Sequence, residues 1–328
     1  MTYELPDDIK TKVQPVLEAR KLAFIFTLGI LLICFAIGKM LRGSVLGMIL
    51  VLTLYNNPLF QNTTLTAMGD APLLFFLVLE LYLSLRFLRL YFVTFRELKL
   101  VLLSMFTGII VGLGVATKLN AILAVHIFIA QLVLLFLSKI KTRGGKIIVF
   151  FLLSCFFTFY IINPYIWPAP LKNTLTFVQH RQSVIKLQQK IWKDEALTTV
   201  KQRVNTVVSQ VLFPGGAYTT FSLKNSSLPL DIIIFIFGLY VLARKMHSKS
   251  VNSYWFLAIW CFFLAAVTTS VLPLNWNRYF LPIVVPVIFI QSLAITLIFE
   301  SLYTLLCKRA FTNETKNSLP QSNVPIST

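Results

Sequence analysis

Acidic side chains are scarce in this chain. It has 12 Asp and Glu against 30 Lys and Arg, a formal net charge of +18. Histidine is scarcer, with three, and there are four cysteines. Cys34, Cys155, Cys261 and Cys307 are scattered through apolar segments or lie just past one, and His126, His180 and His247 are far apart in sequence. Neither set has the spacing of a disulfide framework or a zinc site, so no metal or other cofactor is implied. No repeat of fixed period is present. The glycine-rich "FPGGAY" at 213–218 reads as a turn, not a phosphate-cradling loop.

Apolar residues are abundant. They make up 57% of the 328 positions, only 13% are charged, and the mean hydropathy is +0.77. A soluble domain cannot bury that much apolar surface, so the bilayer must be the solvent for most of it. That decides what the positive charge means. In a soluble protein it would suggest nucleic acid. In a membrane protein it reads as the Lys and Arg of cytoplasmic loops, and no nucleic-acid partner is expected.

Apolar runs at about 22–38, 44–60, 71–88, 99–117, 119–138, 146–163, 229–243, 253–272 and 279–303 predict about nine transmembrane helices. The expected class is an all-α polytopic membrane protein. Six spans fill 21–163 and three fill 229–305. A partial outer loop precedes them at 1–20, an outer segment lies between them at 164–228, and a polar, disordered cytoplasmic tail follows at 306–328. Basic clusters fall after every second span: Lys39 and Arg42; Arg86 to Lys99; Lys139 to Lys146; Arg244 to Lys249; Lys308 and Arg309. The short loops between them carry almost none, which marks the clusters as cytoplasmic. Residues 1–20 contain no segment able to carry them across, so the chain reads as a late-started version of a longer protein. The compact loops are read as those of a bacterial plasma-membrane protein; the absence of a cleavable signal is neutral.

Topology puts Asp70, Lys118, Arg278 and the 164–228 segment on the non-cytoplasmic face. Asp70, in "NTTLTAMGDAPLLFFLVLE", stands just before Pro72 and suits a helix cap as well as chemistry. Lys118, in "GLGVATKLNAIL", lies roughly 28 Å of helix from Lys99 and so reaches the outer interface. It can snorkel there or hold an anion. Arg278, in "LPLNWNRYFLPIVVP", offers a planar fork for phosphate or an interfacial anchor beside Trp276 and Tyr279. Pro282 and Pro286 behind it suggest a kink or a loosened first turn. From 173 to 192, apolar residues recur every seven positions (Phe177/Val178, Val184/Ile185, Ile191/Trp192). This predicts an amphipathic helix flat on the membrane, with His180, Arg181, Lys186, Lys190 and Lys193 opposite the apolar stripe. Glu80 and His126 are ionisable residues within spans and have no assigned role.

The ordered set "EARKLAFIFTLGILLICFAIGKMLRG", "LYNNPLFQNTTLTAMGDAPLLFFLVLELYLSLR", "GLGVATKLNAIL", "NPYIWPAPLKNTLTFVQHR" and "NRYFLPIVVP" resembles the GT-C fold membrane glycosyltransferases. The specific likeness is to the protein O-mannosyltransferase and aminoarabinose-transferase superfamily (glycosyltransferase family 39 and relatives). The resemblance implies a GT-C-like fold and an inverting enzyme. Such an enzyme moves a sugar from a polyprenyl-phosphate donor to a protein, lipid or glycan hydroxyl at the outer face of the bilayer. It implies Asp70 as an accessory acid and Lys118 and Arg278, with Tyr279 beside them, as donor-phosphate contacts; His180 and Arg181, on the reading of their own helix, contact lipid headgroups or reach a bound donor or acceptor. It also places the family's main catalytic Asp in a loop before this sequence starts, with Asp7 and Asp8 at that loop's trailing end. On that expectation the chain lacks its first acid, which leaves three readings: an enzyme, a fragment that needs the part before it, or an inactive relative, with the enzyme favoured. Two other classes fit the composition: a transporter or flippase for a lipid-linked glycan, and a non-catalytic scaffold derived from the enzyme. Polar residues gathered at one face favour interfacial chemistry over a transport path.

Overall fold

A computed structural model describes the backbone of residues 7–66, 69–93, 96–137, 144–221, 228–247 and 251–317, with side chains among them from 15 to 306. It contains twelve α-helices: α1 (Asp7–Arg42), α2 (Ser44–Asn56), α3 (Pro58–Thr64), α4 (Asp70–Val93), α5 (Glu97–Thr117), α6 (Ile122–Leu137), α7 (Gly144–Ile162), α8 (Pro170–Ile191), α9 (Val200–Val211), α10 (Leu230–Met246), α11 (Ser253–Val271) and α12 (Asn277–Asn317). A membrane offers the backbone no hydrogen-bond partner, so long Leu-, Ile- and Phe-rich runs satisfy it internally as helix.

All nine expected spans are helical, and seven helices are long and apolar enough to cross a bilayer. The other two are shorter. The expected span 44–60 divides at Asn57, whose side chain accepts from the N–H groups of Leu59 and Phe60, both at 3.1 Å. Pro58 follows at the first position of α3, where its missing N–H costs nothing. This leaves α2 with 13 residues, about 20 Å of helix. The second short helix, α10, has 17 residues between Asp231 and its basic end at Arg244 and Lys245.

Both chain ends are more helical than composition suggested. Residues 7–20, expected as loop, run straight into the first span; the stretch has no glycine, and Pro15 lies within the helix. At the other end, α12 continues to Asn317, into the tail expected to be disordered, while 318–328 lie outside the described residues.

The bundle is built around α12. Every residue from 279 to 294 is buried, as befits a helix that is apolar all round. It packs against α2, α3, α4, α10 and α11. Pro282 and Pro286 sit inside it without interrupting it. The most intimate pair is α5 with α7. A Cβ at Gly112 would stand 2.6 Å from the Cys155 carbonyl oxygen, so only glycine permits that approach, and Gly108 makes a similar contact one turn earlier.

The two ends of the bundle differ. At one end Arg42 bonds Glu300 at 2.6 Å, and Lys146 lies 3.8 Å from Glu97. The start of α4, the ends of α5 and α7, and the start of α12 meet at the opposite end, under α8.

Candidate functional site

Asp70 opens α4 and is 3% exposed. Its carboxylate takes a hydrogen bond from Lys118 Nζ at 2.5 Å. The expectation that Asp70 also caps its helix needs correcting. Among the described residues its side chain bonds no backbone N–H, and Pro72, two positions on, has no N–H to give. Lys118 reaches it because α5 stops there. The Lys118 backbone is extended (φ −154°, ψ 124°), while its N–H still bonds Gly114 O at 3.0 Å. Gly114 lets the end of α5 lie close to α4, since a Cβ there would sit 3.0 Å from Phe76 Cβ.

Arg278 arrives from the first turn of α12. Its guanidinium lies over the rings of Trp276 and Tyr279, 4.8 and 5.2 Å from their centroids. Those rings stack on each other 6.1 Å apart. Pro282 has no N–H for the carbonyl of Arg278, which loosens the turn that carries this side chain. Tyr279 itself is buried behind Arg278 and does not line the cleft. Its ring packs against the arginine.

Asp70, Lys118 and Arg278 border one cavity of about 560 Å³, and His180 and Arg181 close it from α8. All the other expected site residues therefore converge. The pattern on α8 needs correcting, however. Phe177, His180, Arg181 and Val184 all line this cavity, so the apolar stripe and the first two cations share a face. Positions i, i+3, i+4 and i+7 lie on one side of a helix, and a repeat of seven does not separate them. No residue of α8 is buried, and Leu171, Leu175 and Leu187 are left exposed.

The cavity has neighbours on both sides. One is an apolar pocket of about 440 Å³ between the ends of α7 and α8, walled by Phe159, Tyr165, Ile166 and Phe177 and shared at His180. The other is a cavity of about 530 Å³ that shares Asp70 and Arg278 and is lined mainly by amides and hydroxyls. The site is thus one cleft with three lobes: apolar, basic and amide-rich. Lys118, Arg181 and Arg278 stand against Asp70 in the basic lobe, which suits it to an anion.

Sequence reasoning missed the amide-rich lobe. Its walls come from a chain stitched across the 164–228 segment. Glu195 to Leu197 runs beside Pro273 to Asn275: Asn275 N–H bonds Glu195 O at 2.8 Å, and Leu197 N–H bonds Pro273 O at 3.0 Å. Trp192 packs edge-on against Trp276 at 4.9 Å. Further along, the hydroxyl of Tyr218 donates to Asn277 Oδ1 at 2.6 Å. Burial and the nearby charge of Glu195 push the Tyr218 phenol above its ordinary value. This strap is held from both sides. Asn57 Nδ2 donates to Tyr218 O and Thr220 Oγ1, and buried Asp231 accepts from the N–H groups of Thr220 and Phe221. The only sequence signal was the density of Asn and aromatic residues in "LNWNRY", which was read as an interfacial anchor.

The two unassigned intramembrane residues stay outside the cleft. Glu80 is fully buried in α4 and accepts from Ser84 Oγ at 2.7 Å. His126 faces outward on α6, 3.0 Å from the Ile122 carbonyl.

The fold is GT-C-like. The archaeal oligosaccharyltransferase AglB of Archaeoglobus fulgidus, in its complex with an inhibitory peptide and a dolichol-phosphate, is similar at a TM-score of 0.50 and 14% sequence identity. The match covers 93% of this chain and 42% of that one, so this chain spans less than half the length of the protein it matches. The sequence model of the dolichyl-phosphate-mannose-protein mannosyltransferase family matches residues 2–169, just over half of the chain, and the chain belongs to that family. A comparison with curated proteins finds no match.

Proposed function

We propose that this chain is a membrane glycosyltransferase that takes a sugar from a polyprenyl-phosphate donor and passes it to a protein hydroxyl at the non-cytoplasmic face. The observation that carries this reading is the convergence of Asp70, Lys118, Arg181 and Arg278 in one lobe, with an apolar lobe alongside. A prenyl phosphate needs both: cations for the phosphate and an apolar wall for the chain. As the bond from sugar C1 to phosphate oxygen breaks, negative charge grows on the leaving phosphate. Arg278 and Lys118 are placed to stabilise it. Asp70 holds Lys118 in position until a phosphate competes for it, and is then freed for the sugar or the acceptor hydroxyl. Direct attack by the hydroxyl on the face of C1 opposite the phosphate forms the new C1–O bond as the C1–phosphate bond breaks and inverts the anomeric centre, with the hydroxyl proton passing to the freed Asp70 carboxylate. The charged residues of the cleft lie at one end of the bundle and not along its length, which supports interfacial transfer over passage of a lipid-linked glycan across it.

The test uses the full chain in lipid nanodiscs with dolichyl-phosphate mannose and a Ser/Thr-rich peptide, reading donor binding and release of dolichyl phosphate. Binding and mannose transfer to the peptide are expected. Arg278→Lys should weaken donor binding about tenfold or more, because an ammonium cannot reproduce the bidentate fork. Donor binding without transfer would favour the non-catalytic scaffold. No binding at all would sink the reading.

A further inference from the structure

Apart from Arg278 at its border with the basic lobe, the amide-rich lobe is lined by no cation. It contains Asn62, Thr63, Thr66, Asn275 and Asn277, groups that bond neutral hydroxyls and amides, and one further carboxylate, Glu195. The two carboxylates of the lobe are differently engaged. Asp70 is tied to Lys118, whereas the Glu195 side chain has no hydrogen bond or ion pair among the described residues. Its backbone is nevertheless fixed: the carbonyl accepts from Asn275, and the neighbouring Ala196 pairs with Leu274. Glu195 is half-exposed, on a fixed backbone, and lines a cavity shared with Asp70 and Arg278, so its carboxylate is open to a hydrogen-bond donor from outside the chain.

We propose that the amide-rich lobe is the acceptor subsite and that Glu195 is the anionic hydrogen-bond acceptor that orients the attacking hydroxyl. This rests on the transferase reading above and deepens it by assigning the second substrate a place. The arrangement explains why the lobe meets the basic one at Asp70 and Arg278. The donor phosphate lies on one side of that boundary and the acceptor hydroxyl on the other, so sugar C1 is held between them. The three Asn amides offer both donors and acceptors, which suits them to the peptide backbone flanking a Ser or Thr. The arrangement also gives the outer segment a purpose. The stitch between 195–197 and 273–275, with the strap at 218–221, builds the acceptor wall onto the start of α12, the same turn that carries Arg278.

The experiment again uses the full chain in nanodiscs, with dolichyl-phosphate mannose, a Ser/Thr-rich peptide and the same peptide with Ala at every Ser and Thr. Glu195→Gln keeps the shape and the backbone stitch while removing the charge. It should leave donor affinity within about twofold and raise the peptide KM about tenfold or more, as expected for loss of a charge-assisted hydrogen bond. Asn275→Ala should act in the same direction. An unchanged peptide KM in both variants overturns the proposal while leaving the transferase reading intact. If the unaltered chain transfers nothing, the acceptor lobe is read directly through Asn62→Cys in a Cys307→Ser background. The Ser/Thr peptide should shield the introduced thiol from a polar maleimide, the Ala peptide should not, and Glu195→Gln should abolish the shielding. Equal labelling with and without the Ser/Thr peptide, or shielding that survives Glu195→Gln, overturns the proposal by itself.

Discussion

At the scale of single residues, the pairing of Asp70 with Lys118 decides most. A buried carboxylate without a partner is costly, and this one is 3% exposed. Lys118→Met should therefore destabilise the chain by about 2 kcal/mol, the cost of stranding a charged hydrogen-bonding group. Adding Asp70→Asn should recover part of that loss, because the neutral amide no longer needs the ammonium. Thermal unfolding of the two single variants and the double variant in detergent measures this. Strictly additive effects would show that the two groups do not depend on each other. Both residues were legible in the sequence as charges at span ends expected on one face. Their contact was not, because nothing local reports a bond across 48 positions. Glu195 was less legible still. In a basic outer segment a lone Glu next to Asp194 reads as a solvated charge, and only the stitch to Asn275 carries it into the cleft.

At the scale of elements, α5 is the piece that delivers Lys118, and its position is set by small residues. Gly108 and Gly112 face α7, and Gly114 faces α4. In lipid, helices associate through close packing, not through expulsion of water, so small residues at the interface set the approach distance. Gly112→Leu would drive a side chain into the Cys155 carbonyl and Thr158, 2.6 and 2.8 Å from the position of the first added carbon. The expected result is a loss of about 1–3 kcal/mol and a lower unfolding temperature. Gly145→Leu, where nothing lies within 4 Å, should leave the temperature unchanged and serves as the control. A Gly112→Leu protein as stable as the original would mean that α5 and α7 separate without cost. The small-residue spacing could be read in "TGIIVG", but the partner helix could not. The α8 pattern carries the complementary lesson. Its seven-residue recurrence was real, yet the cavity uses the i, i+3, i+4, i+7 face, which mixes apolar and cationic residues.

At the scale of the whole molecule, the alternation of basic and uncharged loops predicts one membrane orientation, and the cleft lies at the end opposite the basic clusters. Single cysteines in a background free of the four native ones test this in intact cells. Asn62→Cys and Lys172→Cys should react with an impermeant thiol reagent, and Lys245→Cys should react only after lysis. Labelling of position 245 alone in intact cells would invert the orientation and with it the face proposed for the reaction.

The sequence by itself determined the solvent and the helices, and its loop charges predict their alternating ends. Hydropathy and charge are sums over neighbouring residues, and a bilayer imposes one length and one charge rule on every span. It also carried the family likeness, through short ordered segments. The tertiary structure alone decided that Asp70 bonds Lys118 in place of its own helix backbone, that Tyr279 supports Arg278 from behind, and that Glu195 joins Asn275 beside the cleft. It also decided that the cleft has three lobes. These are contacts between elements far apart in the chain. Each is fixed by how closely two helices approach or by which loop folds over which end, and neither leaves a periodic trace in the sequence.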